Sequence, residues 1–192
     1  MRFSSQEYEN IIYVKRQIQA HVAKMKKEPW AHEYVLPWNS MILSGGAIAS
    51  LLQNVVPNDW DFYFTEELMM TAMKSHLEAK WEHVKDVDEK YQNVTDPHGK
   101  MITTNAITMK DDSSFITMFA GPTDYIKSTF DYVHCTPHYD MAGDTLYISP
   151  KQYRACVDKV LWVNNQKSIT TKRCDKFLKR GYKLGSHSES NL

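Results

Sequence analysis

Two short stretches hold residues whose types and spacing could do chemistry. Leu43-Ser44-Gly45-Gly46 is followed, thirteen positions after Gly46, by Asp59-Trp60-Asp61-Phe62-Tyr63-Phe64. Side chains alternate across a strand, so Asp59 and Asp61 are expected on one face. Two carboxylates on one face suit a pair of hard cations such as Mg²⁺, which take oxygen ligands and keep positions open for phosphates. Glycines let the backbone approach a phosphate closely, and a helix after them offers free N–H groups. Ser44, Gly45 and Gly46 are therefore candidates to hold the β- and γ-phosphates, through N–H groups and the Ser44 hydroxyl. A Gly-Gly pair alone is usually a turn, and Asp-x-Asp alone is usually a solvated strand end. Joined at this spacing, they describe a nucleoside triphosphate site.

Other elements must position these residues. Met41-Ile42-Leu43 reads as a short buried strand, Ala47 to Gln53 as a helix, and Trp60 to Phe64 as a second strand. Ser4-Ser5-Gln6-Glu7 is a capping box opening a helix, in which Tyr8, Ile11, Ile12, Ile18, Val22 and Met25 keep helical spacing. A further helix is expected from Thr65 to about Lys80. The polar stretch from Trp81 to Lys100 reads as a mobile loop with a turn at Asp96-Pro97-His98-Gly99. Residues 105–109 and 115–119 flank Lys110-Asp111-Asp112-Ser113-Ser114 as a hairpin would. Thr123 to Lys127 reads as one helical turn and Phe130 to Cys135 as a strand. Ser149-Pro150-Lys151-Gln152 combines an N-cap, an N1 proline and a reciprocal Gln, with Tyr153, Cys156, Val157, Val160 and Leu161 as a core stripe. A last helix is expected from about Ser168 to Arg180, ending at Gly181. This alternation implies an α+β or α/β fold with one mixed sheet. Residues 1–149 would form the core and 150–184 a basic helical segment packed on it, with 185–192 a disordered tail.

The composition, 42% hydrophobic and 24% charged over 192 residues, is that of one globular unit with a sizeable core. The N-terminus does not read as a signal peptide, and no apolar run approaches a membrane span. Cys135, Cys156 and Cys174 are odd in number and widely spaced, which argues against a disulfide framework and for the cytoplasm, a host's if the chain is viral. The net charge of zero hides an asymmetry. Residues 151–185 hold ten Lys and Arg against Asp158 and Asp175 alone, so the remainder is acidic. Such a division suits a lobe that collects cations beside one that meets a polyanion.

The glycine turn and acidic pair resemble the nucleotidyltransferase superfamily, whose signature adds a third acid on a later strand. Gly46-Ala47-Ile48-Ala49-Ser50-Leu51-Leu52, with Pro57, Asp59 and Asp61, looks most like the head motif of CCA-adding enzymes and poly(A) polymerases. The chain is also similar, along most of its length, to short nucleotidyltransferase-like proteins of tailed bacteriophages. It departs from the CCA-type motif at Ala49, where that motif has arginine, and lacks a counterpart of its nucleotide-selecting Asp/Arg segment. The resemblance implies a polymerase-β-like palm, a mixed sheet flanked by helices, followed by a C-terminal helical segment. It also implies a third carboxylate, for which Asp131 between Phe130 and Tyr132 is the candidate and Asp124 the fallback. An unpaired acid among aromatics would be a cost that a metal relieves.

The chemistry so implied is in-line attack of a hydroxyl on the α-phosphate of a nucleoside triphosphate, with pyrophosphate leaving. Asp59 and Asp61 would bridge two Mg²⁺ or Mn²⁺ ions, and Asp131 would bind the one that activates the hydroxyl. Lys172, Lys176, Lys179 and Lys183 fall on one face of the last helix, flanked by Arg173 and Arg180. That stripe could track an RNA backbone or grip the triphosphate, with Lys172 and Lys176 as nucleotide-binding candidates, or it could be a solvated face. His134-Cys135-Thr136-Pro137-His138 lacks nearby partners for a zinc site. The acceptor is expected to be RNA, tRNA-like. The alternatives are a protein or small-molecule hydroxyl, or a non-catalytic nucleic-acid-binding module on the same fold.

Overall fold

A computed structural model describes residues 2–33, 36–80, 92–93, 99–103 and 105–185 of the chain. The elements, in order, are α1 (Ser5–Lys27), α2 (Pro29–Glu33), β1 (Met41–Ser44), α3 (Gly46–Leu52), β2 (Trp60–Phe64), α4 (Glu67–Lys80), β3 (Gln92–Asn93) and β4 (Gly99–Ile102). They continue with β5 (Ala106–Met109), β6 (Ser113–Ile116), α5 (Thr123–Thr129), β7 (His138–Asp140), β8 (Thr145–Tyr147), α6 (Pro150–Val157), β9 (Val160–Leu161), α7 (Thr171–Lys179) and β10 (Lys183–Leu184). The expected turn at 96–99 lies mostly outside the described residues, as do most of the 81–100 loop and the tail after 185.

One sheet of eight strands organises the molecule, in the order β3-β4-β5-β6-β2-β1-β7-β8. Among the described residues of this sheet only the β2–β6 pair is parallel, and β1 pairs antiparallel with both β2 and β7; β9 and β10 form a separate parallel pair. The alternation of β1 and β2 sorts side chains to two faces. Met41, Leu43, Phe62 and Phe64 enter one core with Val14, Ile18, Val22 and Met25 of α1 and Ala47 and Ile48 of α3. Ile42 and Tyr63 enter another, covered by Ile126 of α5, Leu161, Phe177 of α7 and Tyr182. Residues of the basic segment thus close the face of the sheet on which Tyr63 lies.

Both capping boxes form: Ser4 with Glu7, and Ser149 with Gln152. The hairpin forms as β5 and β6, turned through Asp112 at a φ of 64°. The stripe expected along α1 is shifted, because Tyr8 and Ile12 are exposed and Val14 is buried instead. Val157 is likewise exposed, since the chain leaves α6 there and returns as β9. The larger correction is at Phe130 to Cys135, which is not a strand. Tyr132 makes only an isolated bridge to Val163, and residues 133–135 form a 3₁₀ turn closed by Cys135 N–H to the Tyr132 carbonyl at 3.1 Å. Asn164 takes this segment out of the sheet: its side-chain amide donates to the carbonyls of Lys127 (2.9 Å) and Phe130 (2.8 Å). α7 is shorter than expected, capped by Thr170 and finished at Lys179, so Lys183 lies on β10 and leaves the helical stripe.

Candidate functional site

The site lies where β1 ends and β2 begins. Ser44 pairs with Asp61 in the antiparallel register, and Asp61 pairs with Ser114 on its other side. The turn after Ser44 needs a glycine: Gly45 has φ 89°, a region that costs side-chain-bearing residues energy. A Cβ there would come 3.3 Å from Oδ2 of Asp61, so the carboxylate lies against the turn. At Gly46, by contrast, a Cβ would meet nothing within 4 Å. The backbone there borders open space. A cleft of about 280 Å³ begins at Gly46 and runs between α3 and the C-terminal segment, with Lys159 and Arg180 as its charged lining among the described residues.

Of the turn residues proposed for phosphate, two are already engaged. The Ser44 hydroxyl is fully buried and donates to the carbonyls of Pro137 (2.8 Å) and Cys135 (3.2 Å). The Gly45 N–H donates to the same Cys135 carbonyl at 3.1 Å. These bonds pin the 135–137 segment to the end of β1. Ser44 therefore shapes the turn with its hydroxyl turned inward, and Gly46 is the turn residue left open.

Asp59 and Asp61 are unequal partners. Asp59 is exposed just before β2, whereas Asp61 is half-buried within it. Burial pushes the Asp61 carboxyl up to about 7, and the charge of Asp59 pushes the same way. The positive charges of Arg173 and Lys176 act in the opposite sense. Two cations of α7 thus face the acidic edge. Tyr63, two residues on and on the same face, has its hydroxyl held well above its ordinary range by burial and then by Asp61.

Asp131 does not join them. Its side chain is 2% exposed and forms an ion pair with Nε of Arg173. Its other oxygen accepts the N–H of Tyr132 at 3.0 Å, and its carbonyl accepts those of Asn164 (2.8 Å) and Asn165 (3.1 Å). The fallback Asp124 is exposed and paired with Lys127 at 3.3 Å. Among the described residues, no three His, Cys, Asp or Glu side chains come together to hold a metal ion. A three-carboxylate centre does not fit this arrangement. A pair of carboxylates, Asp59 and Asp61, is what faces the open edge.

In the sequence, Arg173 reads as a flank of the lysine stripe. Its spacing from Phe177, four residues on, contained the better signal: both lie on the inward face of α7, and the guanidinium sits 5.2 Å from the Phe177 ring centre. His134 lines the cleft and is buried between the Phe177 and Tyr182 rings, each 4.5 Å away. Burial and the nearby arginines push its pKa down to about 3, so the ring is neutral. Lys172, Lys176 and Lys179 are exposed along α7.

A family model for the Gabija anti-defense 2 family protein matches residues 13–159, more than half of the chain. The chain belongs to the Gabija anti-defense 2 family. Comparison with curated protein sequences finds no match. Among solved structures, this Gabija anti-defense 2 family member is similar to CCA-adding enzymes. The Thermotoga maritima enzyme complexed with tRNA matches at a TM-score of 0.50 and 12% identity, over 88% of this chain and 43% of its own. A CCA-adding enzyme in apo form I matches at 0.53 and 12%, again over 88% and 43%. The complex of a CCA-adding enzyme with CTP matches at 0.51 and 12%, over 87% and 42%. The chain therefore spans less than half the length of these proteins, and the likeness is one of fold. It is the expected one: α+β, a mixed sheet flanked by helices, as in these CCA-adding enzymes. None of the described helices is long and apolar enough to cross a membrane.

Proposed function

We propose that the chain binds a nucleoside triphosphate at the β1–β2 edge and transfers its nucleotidyl group to an acceptor hydroxyl, releasing pyrophosphate. The observation that carries this reading is the juxtaposition of Asp61 with the Gly45-Gly46 turn, with the charge of Asp59 acting on Asp61, in a fold shared with CCA-adding enzymes. Gly46 would admit a phosphate against open backbone, while Gly45 keeps that backbone beside the carboxylate. Asp59 and Asp61 would hold Mg²⁺ or Mn²⁺, which on binding would neutralise charge on the reacting phosphate. Lys176 and Arg173 would supply further positive charge from the other side. The bond formed would join the acceptor oxygen to the α-phosphorus, and the bond broken would be the α–β anhydride.

RNA is the proposed acceptor, from the exposed lysines of α7. The anti-defense family suggests where the reaction would act, in a cell infected by a phage that encodes this chain, against the defence for which the family is named. A non-catalytic reading is favoured by one observation, the ion pair that occupies the third acid. Incubating the protein with each labelled NTP, Mg²⁺ or Mn²⁺, and total RNA or total protein from bacterial cells separates the readings. Label entering RNA, and lost in D61N, is the expected result. Label entering protein would replace the acceptor, and no label with any NTP would sink the enzymatic reading.

A further inference from the structure

We infer that Asp131 acts as a positioning residue: it holds the guanidinium of Arg173 at the acidic edge, where Arg173 meets the phosphates of the bound nucleotide. This rests on the triphosphate reading given above. A carboxylate matched to the third acid of the superfamily would otherwise be expected to ligate a cation, and here its chemistry is spent on an arginine.

The geometry supports this division of labour. Both oxygens of Asp131 are engaged, one by Arg173 and one by its neighbour's N–H, and two further N–H groups fix its backbone. Buried to this degree, the carboxylate could take a metal at that oxygen only by releasing the guanidinium and leaving it without its partner beside a second cation. Arg173 has the complementary character. Its side chain is 42% exposed, so one side is anchored inside while the other faces outward. Nε is taken by Asp131, and a long 4.0 Å approach of Nη2 to Sγ of Cys135 is the other polar contact among the described residues. Most of its N–H donors therefore remain for a ligand. The ring of Phe177 beneath the guanidinium restricts it further. Cys135, which its Nη2 approaches, accepts the Gly45 N–H at its carbonyl (3.1 Å), which puts the guanidinium beside the glycine turn. A planar, permanently charged fork held by a buried acid is well matched to phosphate oxygens.

The test is calorimetric binding of ribonucleoside triphosphates that cannot be hydrolysed between the α- and β-phosphates, titrated across Mg²⁺ concentrations. The proteins are the wild type, R173Q, R173K, D131N and the double variant D131N/R173Q. Circular dichroism and thermal melting check that each is folded. The double variant replaces the ion pair by a neutral pair, so it serves even if R173Q alone fails to fold. Expected is a loss of triphosphate affinity of roughly 10–100-fold when Arg173 loses its charge, partly restored in R173K. D131N should weaken binding in the native background and add nothing once Arg173 is gone. It should leave the half-saturating Mg²⁺ concentration unmoved. Folded variants lacking the Arg173 charge that bind as the wild type does would overturn the inference, as would a raised Mg²⁺ requirement specific to D131N. A wild-type protein that binds no triphosphate would instead remove the functional reading itself.

Discussion

Asp61 and Asp131 approach the same face of the molecule from different elements, and their surroundings treat them in opposite ways. Asp61 sits on β2 beside a second acid, in a half-buried position that penalises its charge. Asp131 is buried almost completely, yet its charge is matched by a guanidinium and by the N–H of Tyr132. A tied-down acid can act only through the partner it holds, whereas a repelled acid at an open edge stores electrostatic free energy that an incoming cation releases. The difference teaches that the carboxylate proposed to meet a cation is the less comfortable one. It also shows that depth alone is a poor guide to how far a carboxylate's charge is penalised.

Breaking the satisfied region should have the largest effect. R173Q leaves Asp131 buried without a counter-charge and should cost about 3–5 kcal/mol of stability. Urea unfolding of R173Q beside D131N/R173Q checks this, because the double variant should recover most of the loss. Equal stability of the two would mean that Asp131 does not need its partner.

Relieving the repelled region should work in the other direction. Because the Asp61 carboxyl is raised in the folded state, its contribution is most favourable at low pH and is lost as pH rises from about 4 through about 7. D61N should abolish transfer, yet at pH 8 be more stable than the native protein by roughly 1–3 kcal/mol, with the gap narrowing towards pH 4. Melting temperatures of the two proteins across that range give the answer. A gap that does not change with pH would show that Asp61 is not penalised.

The glycines sharpen the comparison within the turn. G45A forces a Cβ into a left-handed backbone and to within 3.3 Å of the Asp61 carboxylate, and should cost about 1–3 kcal/mol. G46A has room and should fold almost unchanged; G46V should lose triphosphate affinity more than stability. If chemical denaturation finds the two alanine variants equally stable, the turn geometry is misassigned.

The smallest effects belong to α7. Replacing Lys172, Lys176 and Lys179 by Gln should lower the log–log salt slope of RNA binding by about 0.7 for each phosphate left without its lysine. Lys176 also acts on Asp61, so K176Q alone should weaken triphosphate binding while K172Q and K179Q do not. A triple variant with an unaltered slope would make the lysines a solvated face.

Much of this was legible because it is local. Ser4 with Glu7 and Ser149 with Gln152 form caps within one turn, and β1, α3 and β2 announce themselves by composition and glycine placement. What escaped depends on distant partners. The aromatic, β-branched run Phe130 to Val133 has the composition of a strand, yet Asn164 and Asn165, far along the chain, supply bonds that hold it outside the sheet. The Ser44 hydroxyl looked free because nothing nearby in sequence shows that Cys135 and Pro137 will arrive to accept from it. Asp131 was legible as an acid needing a partner; which partner was a matter of tertiary structure.

The strand order has a consequence for how the protein comes into being. Hairpins such as β5–β6 and β7–β8 close over a few residues, whereas β1 must wait for β7 and β2 for β6, across long intervening chain. Closing such loops is an entropic toll taken before any reward, and it slows folding. The β1–β2 edge lies at the meeting point of those distant pairs, so the turn, the acid pair and Arg173 come together only as the sheet is completed. Pulse-labelled amide exchange should find β5–β6 protected early and the β1–β7 pairing late, which makes this edge a report on whether the whole molecule has folded.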